Sequence, residues 1–197
     1  MVAENTLDLM EQILEIAASV RSHYLEKMIA SFEDFRALHS PSALEVLFEL
    51  QRECEYPFRL YRADMASNTE DGPKLQDVNP EGYLNFSAIT ESISENLQVT
   101  LNPIVWHGVD FDCDKVLAET DLEGWAMRWL DVDDEHIQDS VGLQGVIHSV
   151  TAPELQGSRT EFSVDFGSAP VEALKELLDL LSSIGATSVK IRSSCLG

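Results

Sequence analysis

The sequence predicts an α+β fold: an N-terminal helical hairpin packed with a mostly antiparallel sheet of about five or six strands, and a C-terminal strand–helix–strand unit. Three observations predict it. Leu7, Met10, Leu14, Ala17, Val20, Tyr24, Met28, Phe32 and Phe35 recur at steps of three and four, the spacing of one helical face. Leu97, Val99 and Leu101 alternate with Gln98, Thr100 and Asn102, the period of a strand with one buried face. Between 159 and 192 an alternating run, a leucine-rich helical stretch and a second short β-type run follow one another with little between them.

The first helix is expected over 6–37, with a break near Ser31 to Asp34 because thirty unbroken residues are long for a globular helix. Ser40-Pro41 reads as an N-cap and first-turn proline, opening a second helix over 41–55 with Leu44, Leu47, Phe48 and Gln51 inward. Phe58 to Ala63 alternates and predicts a first strand, whereas 64–80, with Asn68, Gly72, Pro73, Asn79 and Pro80, reads as a long loop. Gly82 to Thr90 and Leu97 to His107 are the next expected strands. Thr120-Asp121-Leu122-Glu123 has the pattern of a capping box and opens a helix bearing Trp125, Ala126, Trp129 and Leu130. Val141 to Val150 and Arg159 to Phe166 are expected strands. Ser168 is expected to N-cap a helix with Leu174, Leu177, Leu178 and Leu181 inside; Gly185 then suits its left-handed C-terminal cap, and Thr187 to Arg192 returns as a strand. The chain thus reads as a single domain over 1–197. It comprises a helical hairpin (1–56), strands (57–110), an acidic helical segment (111–140) and a β-β-α-β unit (141–197).

Charge is the strongest compositional signal. The 197 residues hold 35 Asp+Glu against 13 Lys+Arg, a formal net charge of -22. Small soluble domains need a net charge of only about 2–8 in magnitude for solubility, so this excess acts on what the surface can meet. With 44% hydrophobic residues the chain has material for a core, so most acids must lie outside it. Negative charge on this scale disfavours direct binding to nucleic acid or to an anionic membrane, both of which demand Lys and Arg. The first residues lack a basic region, and Glu4, Asp8, Glu11 and Glu15 interrupt any apolar run. No signal peptide or membrane span is expected, and the cytoplasm is the expected compartment. Cys54, Cys113 and Cys195 show neither paired-cysteine spacing nor an even count, so neither a disulfide framework nor a zinc site is indicated.

Candidate chemistry is sparse. Asp110, Asp112 and Asp114 form a D-x-D-x-D run, but a calcium loop needs Gly at its sixth position and Glu at its twelfth, where Lys115 and Asp121 stand. The run Asp131, Asp133, Glu135 fails in the same way, at His136 and Gly142. His107, His136 and His148 match no zinc spacing, and Cys113 sits between two aspartates, a poor setting for a thiolate. Gly167-Ser168-Ala169-Pro170 lacks the glycine spacing and lysine of a phosphate loop. No catalytic residue, metal or cofactor is expected.

The acids do concentrate. Over 110–140 eleven acids face only Lys115 and Arg128, a net charge of -9 in 31 residues. Asp110, Asp112, Asp114, Glu123, Asp131, Asp133, Asp134 and Glu135, with Trp125 and Trp129 on one helix face, are the expected partner-binding residues. The plainer reading of the tryptophans is core, and of the acids a solvated face. In general character, small and acidic with no catalytic motif, the chain resembles bacterial immunity proteins, a likeness of composition that transfers no residues. It implies a cytoplasmic protein that binds and neutralises a basic cognate toxin, such as a nuclease, by covering its active site. Two alternatives stand beside it. One is a metal-assisted hydrolase built from Asp and His groups around 107–148. The other is a non-catalytic adaptor whose N-terminal helices, through Met10, Met28, Phe32 and Phe35, bind a partner or a second copy.

Overall fold

The computed structural model describes residues 3–51, 53–78 and 82–194, with side chains in the first helix described from Met10 onward. Leu7, Asn79, Pro80 and Cys195 therefore lie outside the described positions or side chains. The α+β class holds. One long helix, α1 (Ala3–Leu38), leads into β1 (Ser42–Glu49), β2 (Leu60–Thr69) and β3 (Gly72–Gln76), which form a three-stranded antiparallel sheet in the order β1-β2-β3. Then follow β4 (Ile89–Ser92), β5 (Gln98–Leu101), β6 (Val109–Cys113), α2 (Glu119–Trp129), β7 (Ser149–Val150), β8 (Glu154–Gln156), β9 (Arg159–Asp165), α3 (Val171–Ser183) and β10 (Ser188–Arg192). These strands form a seven-stranded sheet in the order β4-β5-β10-β6-β9-β7, with β8 also pairing β9. Every pairing is antiparallel except β5 with β10.

The helical face of α1 is the one its spacing predicts from Ala17 to Phe35, except that Ile13 rather than Leu14 is fully buried. The expected break at Ser31 to Asp34 does not occur, because Phe32 and Phe35 continue the same buried stripe. The second helix, expected over 41–55, is instead strand β1, so there is no helical hairpin. Apolar residues at 44, 47 and 48 fit both periods, and the choice is made by β2, whose Met65, Arg62 and Tyr61 register with Leu44, Leu47 and Phe48. The expected loop 64–80 is largely strand: β2 runs on to Thr69 and turns through Glu70-Asp71 into β3, with Thr69 opposite Gly72. Gly72 takes φ 112, a conformation that glycine alone adopts freely.

Expected strands in the second half prove shorter. Of the three long runs only Ile89 and Thr90, in a strand that extends to Ser92, Gln98–Leu101 and Ser149–Val150 pair; Pro103 and the turns at Gly142 and Gly145 interrupt the ladder in the second and third. The D-x-D-x-D run is not helical: Val109, Phe111 and Cys113 of β6 are buried, while Asp110 and Asp112 point to the opposite, half-exposed face. The first turn of α2 lies two residues earlier than expected, with Ala118 as N-cap and the Asp121 carboxylate accepting its N–H at 2.8 Å. In α3 the N-cap is Pro170, and Ser168 Oγ instead accepts N–H groups from Gly145 and Val146. Its C-terminus closes as the sequence predicts. Gly185 at φ 89 donates to Ser182 O, and Ala186 donates to Leu181 O, the paired bonds of a Schellman cap.

Residues of α1, both sheets, α2 and α3 share one buried apolar cluster. Trp106 and Phe166 stack at 4.6 Å and Phe111 and Phe162 at 5.0 Å within it. Among the described residues no helix is long and apolar enough to cross a membrane.

Candidate functional site

Two features stand out: an acidic loop fixed to a rigid frame, and a buried charge cluster beneath it. The loop follows α2. Asp131 (φ 50) and Asp134 (φ 54) hold left-handed backbone, which turns the chain sharply away from the helix. The Asp131 side chain is 5% exposed, and its carboxylate accepts the N–H groups of Glu135 at 2.8 Å and His136 at 3.1 Å. Asp139 Oδ1 does the same for Val141, Gly142 and Leu143. Between these two pinned turns Asp133, Asp134, Glu135, Gln138 and Asp139 are exposed, and Ile137 is 92% exposed.

Arg62 fixes the loop from below. This buried guanidinium donates to Leu130 O and Asp131 O at the end of α2, to Glu45 O in β1 and to Gln144 Oε1. A cation at the carbonyl end of a helix is favoured by the helix dipole, and it satisfies acceptors that the helix leaves free. A surface cleft opens between β1 and the loop, lined by Glu45, Arg62, Asp131, Asp134, Gln138 and Gln144.

The charge cluster joins the two sheets. His148 is 1% exposed, with Nε2 hydrogen-bonded to Glu45 Oε1 at 2.8 Å and Nδ1 paired to Asp64 Oδ1 at 2.7 Å, off the N–H axis. Glu45 and Asp64 face one another on β1 and β2, with 0% and 2% exposure. Glu45 takes φ 52, an uncommon conformation for glutamate inside a strand. Its other oxygen accepts the Gln144 N–H, which ties the cluster to the base of the acidic loop. Asp64 also accepts Tyr24 O–H at 2.8 Å and the Val78 N–H. The His148 ring sits where a side chain on Gly167 would be: a Cβ there would lie 2.1 Å from His148 Cδ2.

Burial alone would lower the pKa of His148, but Asp64, Glu45 and Asp165 outweigh it and hold the imidazole well above its usual range, as a cation. Burial alone would raise Asp64; its bonds to His148, Val78 and Tyr24 hold it below the usual carboxylate range. Burial, aided by the neighbouring Asp64 and opposed by His148, pushes Asp165 up to about 7. With Glu45 and His148 essentially out of solvent, the arrangement is a buried ion cluster, not a group presented to a substrate.

The residues expected to bind a partner divide into two groups. Asp110 accepts from Ser163 Oγ and Ser194 N, Asp112 pairs with Arg159, and Asp114 accepts the N–H groups of Thr187 and Ser188. Asp110 and Asp112 lie on β6 and Asp114 just beyond its end, and their bonds tie β6 to its neighbours. Trp125 and Trp129 are 7% and 6% exposed, and their indole N–H groups donate to Ala173 O and Glu176 Oε2 across the α2–α3 contact. Glu123 is half-buried on α2. Asp133, Asp134 and Glu135 are the acids left free at the surface, with Ile137, Arg62, Glu45 and Asp64 added by the structure.

Sequence reasoning missed Glu45 and Asp64 because each sits inside an apolar or alternating run; an acid in such a run was itself the available signal. His107, His136 and His148 occupy separate surroundings. His107 stacks on Tyr24 at 5.5 Å, and His136 Nδ1 contacts Gln144 O. Among the described residues no group of three or more His, Cys, Asp or Glu side chains is placed to hold a metal ion. Met28, Phe32 and Phe35 of α1 are buried inside this chain. Comparison with family models, curated proteins and solved structures finds no match.

Proposed function

We propose that this chain is an acidic inhibitor of the immunity or antitoxin kind, which binds a basic cognate toxin in the cytoplasm and covers its active site. The supporting observation is the loop between Asp131 and Asp139, where Ile137, 92% exposed, stands among the exposed acids Asp133, Asp134 and Glu135. An apolar anchor within a charged rim is the anatomy of a protein interface. The acids speed encounter with a basic surface and select it, while the anchor is what a pocket on the partner would hold. Arg62 and Asp131 keep the loop in one conformation, which reduces the ordering cost of binding. A nuclease cleft, built to receive phosphates, is the kind of basic surface such a loop would cover.

The test is co-expression with the product of the adjacent gene, followed by association kinetics at increasing salt. Protection from toxicity is expected, with an association rate that falls steeply as salt rises. The triple variant Asp133→Lys, Asp134→Lys, Glu135→Lys should lose protection yet stay folded, since all three side chains are exposed. Asp131 is left intact because its carboxylate builds the loop. Binding insensitive to salt, or full protection by the triple variant, would overturn the reading.

A further inference from the structure

Strand β1 closes one end of the three-stranded sheet, and among the described residues no strand pairs with its outer edge. The bonds of its neighbours show which backbone groups are left over. Arg62 N–H turns away from β1 to His148 O at 2.8 Å, although Arg62 is in register with Leu47. Leu47 therefore belongs to a non-bonded pair of the antiparallel ladder, and its own N–H and C=O point outward. Leu50 N–H donates to Arg59 O at 2.9 Å, so its neighbour Glu49 faces outward as well. On the same edge Glu45 C=O is already taken by the Arg62 guanidinium. Leu47 and Glu49 thus leave their N–H groups and carbonyls on an open edge, a template for another strand.

Clefts flank this edge on both faces. Val46 and Phe48 share one face of β1 and line the first cleft with Pro41, Ala43, Ala66 and Pro73, so its walls are mainly apolar. Leu47 and its partner Arg62 lie on the other face, where Glu45, Asp131 and Asp134 bound the second cleft. A strand laid along β1 sets alternate side chains over the two clefts. One set meets apolar walls and the other meets acids, so the segment that fits alternates apolar and basic residues. A second copy of this chain fits badly. It carries its own net charge of -22, and pairing two β1 edges would place one acidic loop beside the other. We propose that the partner adds an extended segment of alternating basic and apolar residues to β1 as a further strand, its basic side chains reaching Asp134. This rests on the inhibitor reading, and it gives the basic partner a defined point of attachment beside the loop.

The experiment titrates the isotopically labelled full chain with the peptide acetyl-Lys-Val-Lys-Val-Lys-Val-Lys-Val-amide, read by NMR shifts and amide hydrogen exchange. It needs no toxin, so it judges strand addition alone, whereas protection by the loop variant judges the inhibitor reading. Saturable binding is expected, with exchange slowed at the Leu47 and Glu49 amides. The block peptide acetyl-Lys-Lys-Lys-Lys-Val-Val-Val-Val-amide, equal in charge, should bind about tenfold more weakly. Glu49→Pro removes an outward N–H at an exposed position without breaking a ladder bond, and should weaken binding about tenfold. Glu49→Ala loses the same charge but keeps the N–H, and should stay within about threefold of wild type. Exchange in the unaltered chain decides the matter even if the proline disturbs β1. Binding that never saturates, equal affinity for the block peptide, unaltered exchange at Leu47 and Glu49, or undiminished affinity in Glu49→Pro would each overturn the proposal. So would a dimer in solution that Glu49→Pro dissociates.

Discussion

Replacing His148 by leucine tests whether the buried cluster is held by charge. The substitution keeps apolar bulk but leaves Glu45 and Asp64, 0% and 2% exposed, without their common cation. The variant can relieve the conflict by folding with one carboxyl protonated. At an unfolded pKa near 4 and 1.36 kcal/mol per pH unit, that proton costs about 5 kcal/mol at pH 7.5 and about 1.4 kcal/mol at pH 5. The wild-type cluster has the same sign but a shallower dependence over this range. A histidine whose pKa is raised by folding contributes stability that is fully present below its unfolded pKa and lost as pH rises through its folded pKa. Taking up that proton costs the wild type about 1.4 kcal/mol at pH 7.5, one unit above an unfolded pKa near 6.5. The loss caused by His148→Leu should therefore be smaller at pH 5 than at pH 7.5 by about 2 kcal/mol. Urea denaturation of both proteins at the two pH values, with slopes compared to verify two-state behaviour, measures it. An equal loss at both values, or one below about 1 kcal/mol at pH 7.5, would refute the account of His148 as the shared cation of two buried carboxylates.

Two further outcomes follow from the same cluster. Gly167→Ala places a Cβ 2.1 Å from His148 Cδ2 at a residue with φ 47, so it should lower the melting temperature sharply or prevent folding; a melt within a degree or two of wild type would contradict the packing. Asp165, pushed up to about 7, keeps a proton in the folded state that the unfolded chain releases, so its contribution to stability falls as pH rises from about 4 to about 7. Asp165→Asn should flatten the stability profile over that window, and an unchanged slope in denaturation midpoints would exclude Asp165 as its source.

Legibility in the sequence followed the range of the interactions. The stripe of α1 and the strand–helix–strand unit ending at Arg192 are written locally, in spacing and in Gly185, and both appear, though α1 runs on without the expected break and Pro170 rather than Ser168 caps α3. Where an element depends on a distant partner, local pattern misleads. Leu44, Leu47 and Phe48 suit a helix until β2 pairs with them, and Asp71-Gly72, a hairpin signal in its own right, was submerged among other loop-type residues. Acid density over 110–140 located the exposed loop, but it could not separate free acids from those holding strands together. That distinction depends on partners such as Ser163, Arg159 and Thr187, which lie far along the chain from Asp110, Asp112 and Asp114.

The distance between Glu45 and His148 along the chain, 103 residues, also bears on how the protein folds. Neither sheet can neutralise its share of the cluster alone: β1 and β2 bring the acids, and the segment entering β7 brings the cation. Closing so long a loop costs entropy before any contact is gained. Until then the three-stranded sheet carries two opposed acids that favour water over burial. Only the docking that brings His148 between them removes that conflict; a slipped arrangement leaves the acids buried and unpaired. The cluster thereby works as a check on assembly, admitting one way of joining the two sheets and penalising the others.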